Sequence, residues 1–216
     1  MDESELFQQE LAKETEAETQ YAMEQEALVQ SITSVPIALN IKIGYVGNQM
    51  SSSISESLDS FLSDVDDIER EQIHGLELLE GATTEDEYKS IKKYNLAYFL
   101  DGSYKDDQRN DENYQGGKRL IAIDIDDGDY TRADIETKLE AQALFGLVYR
   151  TAKFYYDQSN RWRIVLMADQ EMTKDEYKQV VEGVALLLDL EIDEASKKLS
   201  QLMGYPLARA DVSTVI

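Results

Sequence analysis

The chain has no cysteine. Disulfides and thiolate metal sites are thereby excluded, and the composition suits a reducing cytosol. It also has no apolar run of membrane-spanning length and no leader of the secretory type. A soluble, cytoplasmic protein that does not engage a membrane is therefore expected. Histidine occurs once. His74 stands beside Gly75 at an expected helix end and reads as a surface residue rather than a ligand. Positive charge is scarce as well: 21 Lys and Arg face 44 Asp and Glu, for a formal net charge of −23. Residues 1–90 hold 21 acidic and 4 basic side chains, net −17, and residues 91–216 hold 23 and 17, net −6. The first part repels nucleic acid over long range. Any phosphate binding must come from local basic groups or a metal in the second part.

What is present suffices for one sizeable core, since 42% of the 216 residues are hydrophobic. Residues 2–31 are rich in Glu, Gln and Ala, with Leu6, Leu11, Tyr21 and Leu28 as a thin apolar stripe. Residues 1–34 are expected to form an acidic helical arm, either a solvated tail or a partner-binding helix. Residues 35–216 are expected to form the folded domain. Pro36 breaks the first helix, residues 37–46 read as one strand or two short ones, and Gly47-Asn48 marks a turn. Ile54, Leu58, Phe61, Leu62, Val65 and Ile68 then recur at helical spacing behind a serine cluster able to cap. Thr84 and Glu87 have capping-box spacing for a helix through Lys93. Residues 95–100 form a strand, and a long polar loop, 101–117, carries Lys105 and Arg109.

Farther along, Thr131 caps a helix to about Phe145, with Asp134 in its first turn. A strand at 146–151 and another at 161–167 make a hairpin across a Tyr-rich loop, 152–160. On the second strand Arg161 and Arg163 share one face. Thr173 and Glu176 cap a helix whose core face is Tyr177, Val180, Val181, Val184, Leu187 and Leu188. A last helix is expected over about 194–203, before Gly204-Tyr205-Pro206.

The chain is organised around Lys118–Tyr130, KRLIAIDIDDGDY. Its apolar run, 120–125, is β-branched and short, as in a buried strand. Asp124 and Asp126 lie two apart and so leave the same face of the sheet. Carboxylates that close repel unless a cation sits between them, and a hard ion such as Mg²⁺ takes such oxygens and keeps room for phosphate. Two other readings stay open, a solvated acidic strand end and a nucleophilic aspartate. The haloacid-dehalogenase family also has a strand ending in DxD, there usually near the domain start. An EF-hand loop fits poorly, because Gly128 at its invariant glycine puts Ile123 and Ile125 at ligand positions.

From about residue 84 to 206 the order of these motifs resembles the catalytic domain of the archaeo-eukaryotic primase superfamily, in the form found in phage and plasmid replication proteins. Asp124 and Asp126 end a strand, Thr151 precedes the Arg161-x-Arg163 strand, and Asp193 follows a long helix. The stretches TEDEYKSIKK, FLDGSYKDDQRNDEN and KRLIAIDID look like the lead-in of such phage proteins, and IALNIKIGYVGN matches their first strand and turn. The likeness extends from Val35 to Leu207. It implies an α+β, primase-polymerase-like (RRM-like) fold, a small mixed or antiparallel sheet with packed helices, to which the acidic helical N-terminal extension is added. The helicase region that these proteins often carry has no counterpart in the 216 residues.

The resemblance implies nucleotidyl transfer on a single-stranded DNA template, with nucleoside triphosphates as substrates and Mg²⁺ or Mn²⁺ as cofactor. Asp124, Asp126 and Asp193 would be the catalytic and metal-holding carboxylates. Arg161, Arg163, Thr151, Lys153 and Arg109 would meet nucleotide or template phosphates, with Lys105, Lys118 and Arg119 as weaker candidates. A replication protein would be the partner of the acidic N-terminal region, and the host-cell cytoplasm the location if the protein is phage-encoded. One position departs from the family pattern. Where the family has His after Thr, this chain has Ala152, followed by Lys153. That departure and the acidity support a second reading, a degenerate relative without catalysis: a replication accessory factor or a DNA-mimic inhibitor.

Overall fold

In the computed structural model the described residues are 34–44, 50, 54–126 and 128–215, with scattered positions between 13 and 31. The expected turn at Gly47-Asn48 and most of the expected arm, 1–34, lie outside them, although the described positions within 13–31 are helical.

Strand β1 (Ile37–Ile43) begins directly after Pro36. It pairs on one side with β2 (Ile54–Glu56) and on the other with β3 (Ala97–Asp101). A short β9 (Met203–Gly204) completes this sheet in the order β2-β1-β3-β9. A second sheet contains β6 (Leu120–Ile125), β7 (Gly146–Arg150), β8 (Trp162–Met167) and β10 (Ser213–Val215), in the order β10-β7-β8-β6. The polar stretch 101–117 holds a ribbon of β4 (Ser103–Tyr104) and β5 (Tyr114–Gly116). Every pairing among the described strands is antiparallel.

Among the described residues from 54 onward the helices are α1 (Leu58–Gly81), α2 (Glu85–Asn95), α3 (Arg132–Ala141), α4 (Ala152–Asp157) and α5 (Lys174–Leu187). Thr84, Thr131 and Thr173 each accept from the backbone three residues on, while Glu87, Asp134 and Glu176 reach back, so three capping boxes fix where α2, α3 and α5 start.

The second sheet is the middle layer of this α+β fold. On β6, Leu120 and Ala122 face the first sheet and α1, meeting Ile37, Leu39, Phe61 and Phe99. Ile121, Ile123 and Ile125 face the opposite way, toward Ile135 and Leu139 of α3 and Tyr177 and Val181 of α5. Burial on both faces is why this run is apolar without alternation. Its start is pinned by a buried ion pair. Lys118 Nζ donates to Asp101 Oδ1 at 2.7 Å, and Asp101 Oδ2 accepts from the backbone of Arg119 and Leu120 at 2.6 and 2.7 Å. Lys118 thus joins the end of β3 to the start of β6 and does not face a ligand.

Several local expectations need correction. Ile54 lies on β2 rather than on the following helix. Helix α1 does not stop at Gly75, because that glycine serves packing: a Cβ there would meet the carbonyl oxygen of Asn95 at 2.7 Å. The stretch 152–157 is the helix α4, not loop. The helix expected at 194–203 is a single 3₁₀ turn, Glu194–Lys197, capped by Asp193. Leu187 is exposed, and the neighbouring Leu188 takes the buried place.

Candidate functional site

The alternation that sends Leu120 and Ala122 toward the first sheet sends Asp124 the same way. There the apolar filling between the sheets ends. Its place is taken by a cleft of about 130 Å³ lined by Asp124, Asp126, Asp193, Arg161, Arg163, Thr151 and Lys153, among others. Seven of the eight residues singled out as a site from the sequence therefore line one cavity. Arg109 does not. It lines an adjoining groove, and its Nη1 donates to the carbonyl oxygen of Ser200 at 3.0 Å.

Asp193 comes to Asp124 through the edge of the sheet. Strand β6 is an outer strand, so one side of its backbone lacks a ladder partner. The segment after α5 supplies it. The Asp193 N–H donates to the Asp124 carbonyl at 2.9 Å, and the Asp124 N–H donates to Ser196 Oγ at 2.9 Å. The Asp193 carboxylate accepts from the Ala195 N–H at 3.1 Å and caps the 3₁₀ turn. This edge closure fixes two acidic residues from distant parts of the chain side by side.

Each carboxylate of the DxD pair has its own arginine. Asp124 and Arg163 are cross-strand neighbours on β6 and β8. Arg163 Nε donates to Asp124 Oδ1 at 2.5 Å and Nη2 to Oδ2 at 2.8 Å. The remaining Nη1 donates to the carbonyl oxygen of Gly204 on β9, which also accepts from Tyr149 Oη at 3.0 Å. Arg163 is 6% exposed and bridges the two sheets. Burial works against its charge, but the Asp124 carboxylate prevails and holds the guanidinium more firmly protonated than usual. Arg161 pairs with Asp126 at 2.8 Å in a more open setting. Burial and the repulsion of Asp124 and Asp193 raise the Asp126 carboxyl above its ordinary range despite Arg161.

Two of the other expected cations, Lys153 and Arg119, are committed elsewhere. Lys153 lines the cleft, but its Nζ lies 2.7 Å from Glu85 and 3.2 Å from Asp157, over the stacked rings of Tyr88 and Tyr156. Arg119 Nη1 donates to the carbonyl of Asp169. His74 is exposed beside Glu77, on α1, and does not line the cleft. Thr151 donates its N–H to the Arg161 carbonyl at 3.2 Å and precedes α4. Sequence reasoning did not single out Tyr88, Lys92, Tyr98 or Gly204, all of which line the cleft. Lys92 had a signal, the basic last turn of a capped helix. Gly204 acts through a backbone carbonyl and had none.

The donor set fits a hard divalent cation in kind, since three carboxylates and no sulfur or imidazole face the cleft. Among the described residues, however, no three acidic or imidazole side chains are grouped closely enough to hold a metal as they stand. Arg161 and Arg163 supply the neutralising charge instead. No described helix is long and apolar enough to cross a membrane.

A family model described as the VapE N-terminal domain matches residues 77–216, a span that includes every residue of the cleft. In structure the chain is similar to the AEP domain of the primase-polymerase of cyanophage S-2L, with 12% identity, 89% of this chain and 88% of that chain covered, and a TM-score of 0.41. A likeness that distant transfers neither activity nor residue roles. Among curated proteins none matches the chain.

Proposed function

The chain belongs to the VapE N-terminal domain family, and from that premise and the geometry of the cleft we propose that it is a primase-polymerase-like domain of phage or plasmid replication. The proposed activity is metal-dependent nucleotidyl transfer on a single-stranded template, in the host-cell cytoplasm. One observation carries the reading: Asp124, Asp126 and Asp193 line one cleft together with Arg161 and Arg163. Residues 35–216 are taken as the domain, and the acidic stretch 1–34 as an arm for a replication-protein partner.

In this reading Asp124, Asp126 and Asp193 would hold Mg²⁺ or Mn²⁺, an ion that would neutralise phosphate charge and make the attacking hydroxyl more acidic. Arg163 is a positioning residue. Its three contacts set the orientation of the Asp124 carboxylate, and its burial keeps it from phosphate. Arg161 is more open and would exchange its single contact with Asp126 for a phosphate group, whose oxygens a guanidinium can take two at a time. Thr151 lies at the start of α4 beside it. At about 130 Å³ the cleft admits phosphates rather than a whole nucleotide, whose base stays at the mouth.

A nucleophilic role for Asp124 is disfavoured, because the buried guanidinium that neutralises its carboxylate weakens attack on phosphorus, while each oxygen keeps a second lone pair for a cation. A non-catalytic interaction protein is the second reading, an accessory factor or an acidic inhibitor. It is favoured by Ala152, which brings no imidazole to the cleft, and by the arginines that already neutralise the carboxylates.

The test gives purified protein a single-stranded template, nucleoside triphosphates and Mg²⁺ or Mn²⁺. Product from wild type, with at least about a hundredfold loss in Asp126→Asn and Asp193→Asn, is the expected result. Asparagine caps as well as aspartate, so the second variant keeps its 3₁₀ turn. No product from wild type, or undiminished product in both variants, removes the catalytic reading.

A further inference from the structure

Beside the cleft runs a groove of about 340 Å³ whose lining contains four cations, Lys89, Lys92, Lys93 and Arg109, and no carboxylate. In a chain of net charge −23 such a run of one sign is against the composition. Lys89, Lys92 and Lys93 stand at i, i+3 and i+4 on α2 and so share one face. Lys92 lines both the groove and the cleft. Among the described residues it meets no carboxylate within 4 Å, and Lys89 meets only Glu85, at 4.0 Å. Next to Lys92, Lys93 lies 5.0 Å over the ring of Tyr94, which is 61% exposed and stands just outside the groove's lining.

We propose that this groove binds the phosphate backbone of a single-stranded nucleic acid and leads it over Lys92 into the cleft, with Tyr94 as a stacking platform for a base. Cations that track the backbone and an exposed ring are the combination that single strands use without sequence preference. A duplex does not suit a path that ends in a cleft of about 130 Å³. The proposal rests on the functional reading above only for its choice of nucleic acid over other polyanions.

The experiment measures fluorescence anisotropy of a labelled oligothymidylate of about 20 nucleotides against the full chain, over a range of salt. Binding by wild type is expected to weaken with a slope of about −0.7 per phosphate contacted. Lys92→Glu plus Lys93→Glu should bind about tenfold or more weaker and with a shallower slope. Lys92→Ala plus Lys93→Ala should move the same way by less, with an unchanged melting temperature. Lys174→Glu plus Lys178→Glu, on α5, makes the same charge change away from the groove and should bind within about twofold of wild type. Equal loss in the two Glu pairs, no binding by wild type at low salt, or equal binding of a duplex or of polyglutamate would overturn the proposal. Primer extension run in parallel separates the two readings. Groove-dependent binding without product sinks catalysis and keeps the groove. Product that the groove variants make as well as wild type does the reverse.

Discussion

Arg163 holds both carboxylate oxygens of Asp124 and is itself almost without solvent. Asp126, two residues on, holds Arg161 by one contact at the cleft mouth. The two halves of one DxD motif are therefore in different energetic settings, and their removal should differ in kind.

Asp124→Ala leaves a buried guanidinium with the Gly204 carbonyl and Tyr149 but no carboxylate beside it, and should cost about 3–5 kcal/mol. Asp126→Ala breaks a half-exposed pair and should stay within about 1 kcal/mol. Urea denaturation of the two variants measures the contrast. Equal costs would mean that Arg163 finds another partner when Asp124 is gone.

The Asp101–Lys118 pair makes the same argument away from the cleft. Lys118→Met strands a buried carboxylate and should lose about 3–5 kcal/mol. Adding Asp101→Asn should recover most of that loss, because a neutral amide oxygen still accepts from the backbone of Arg119 and Leu120. A double-mutant cycle reads the coupling. If the double variant is as unstable as the single, the lost packing of Lys118 over Tyr177 rather than the stranded charge carries the cost.

Much of this was legible from spacing. The three capping boxes were readable because threonine and an acid three residues on solve a local problem, four unpaired N–H groups at a helix start. The β6 strand was readable from its β-branched run. The pairing of Asp124 with Arg163 was not, because register between strands far apart in sequence is decided by packing. The same holds for Lys118, whose charge suggested a ligand and whose burial beside Asp101 serves the fold. The helix expected at 194–203 misread a segment whose backbone bonds go to the β6 edge instead of to itself.

The capping carboxylates also set a pH dependence. Hydrogen bonds from the backbone and side chain of Thr83, then Thr84, lower Glu87, and those of Thr173 lower Glu176. A carboxyl lowered by folding adds stability above its unfolded pKa, near 4.5, and loses it as pH falls through the folded value. Global repulsion at net charge −23 runs the other way, so the difference from a variant is the cleaner reading. The gap in melting temperature between wild type and Glu87→Gln plus Glu176→Gln should be present at neutral pH and close on acidification. A gap independent of pH would place the stabilisation in shape rather than charge.

Two glycines on helices should respond to alanine with opposite signs. Alanine is favoured over glycine in a helix by about 1 kcal/mol wherever the added methyl meets nothing. Gly183, on α5, has no atom within 4 Å of where a Cβ would sit, so Gly183→Ala should raise the unfolding midpoint. At Gly75 the same methyl would meet the Asn95 carbonyl oxygen at 2.7 Å and Leu96 Cδ2 at 2.9 Å. The first of these is backbone at the end of α2 and cannot rotate away. Overpacking of that kind costs about 1–3 kcal/mol, which offsets or exceeds the helical gain. Gly75→Ala should therefore lower the midpoint and, by pushing α1 from the end of α2, disturb the helix that carries Lys89, Lys92 and Lys93. A rise in stability in Gly75→Ala would mean that α1 shifts freely against α2, and that the close approach at Gly75 does not set the position of the basic helix face.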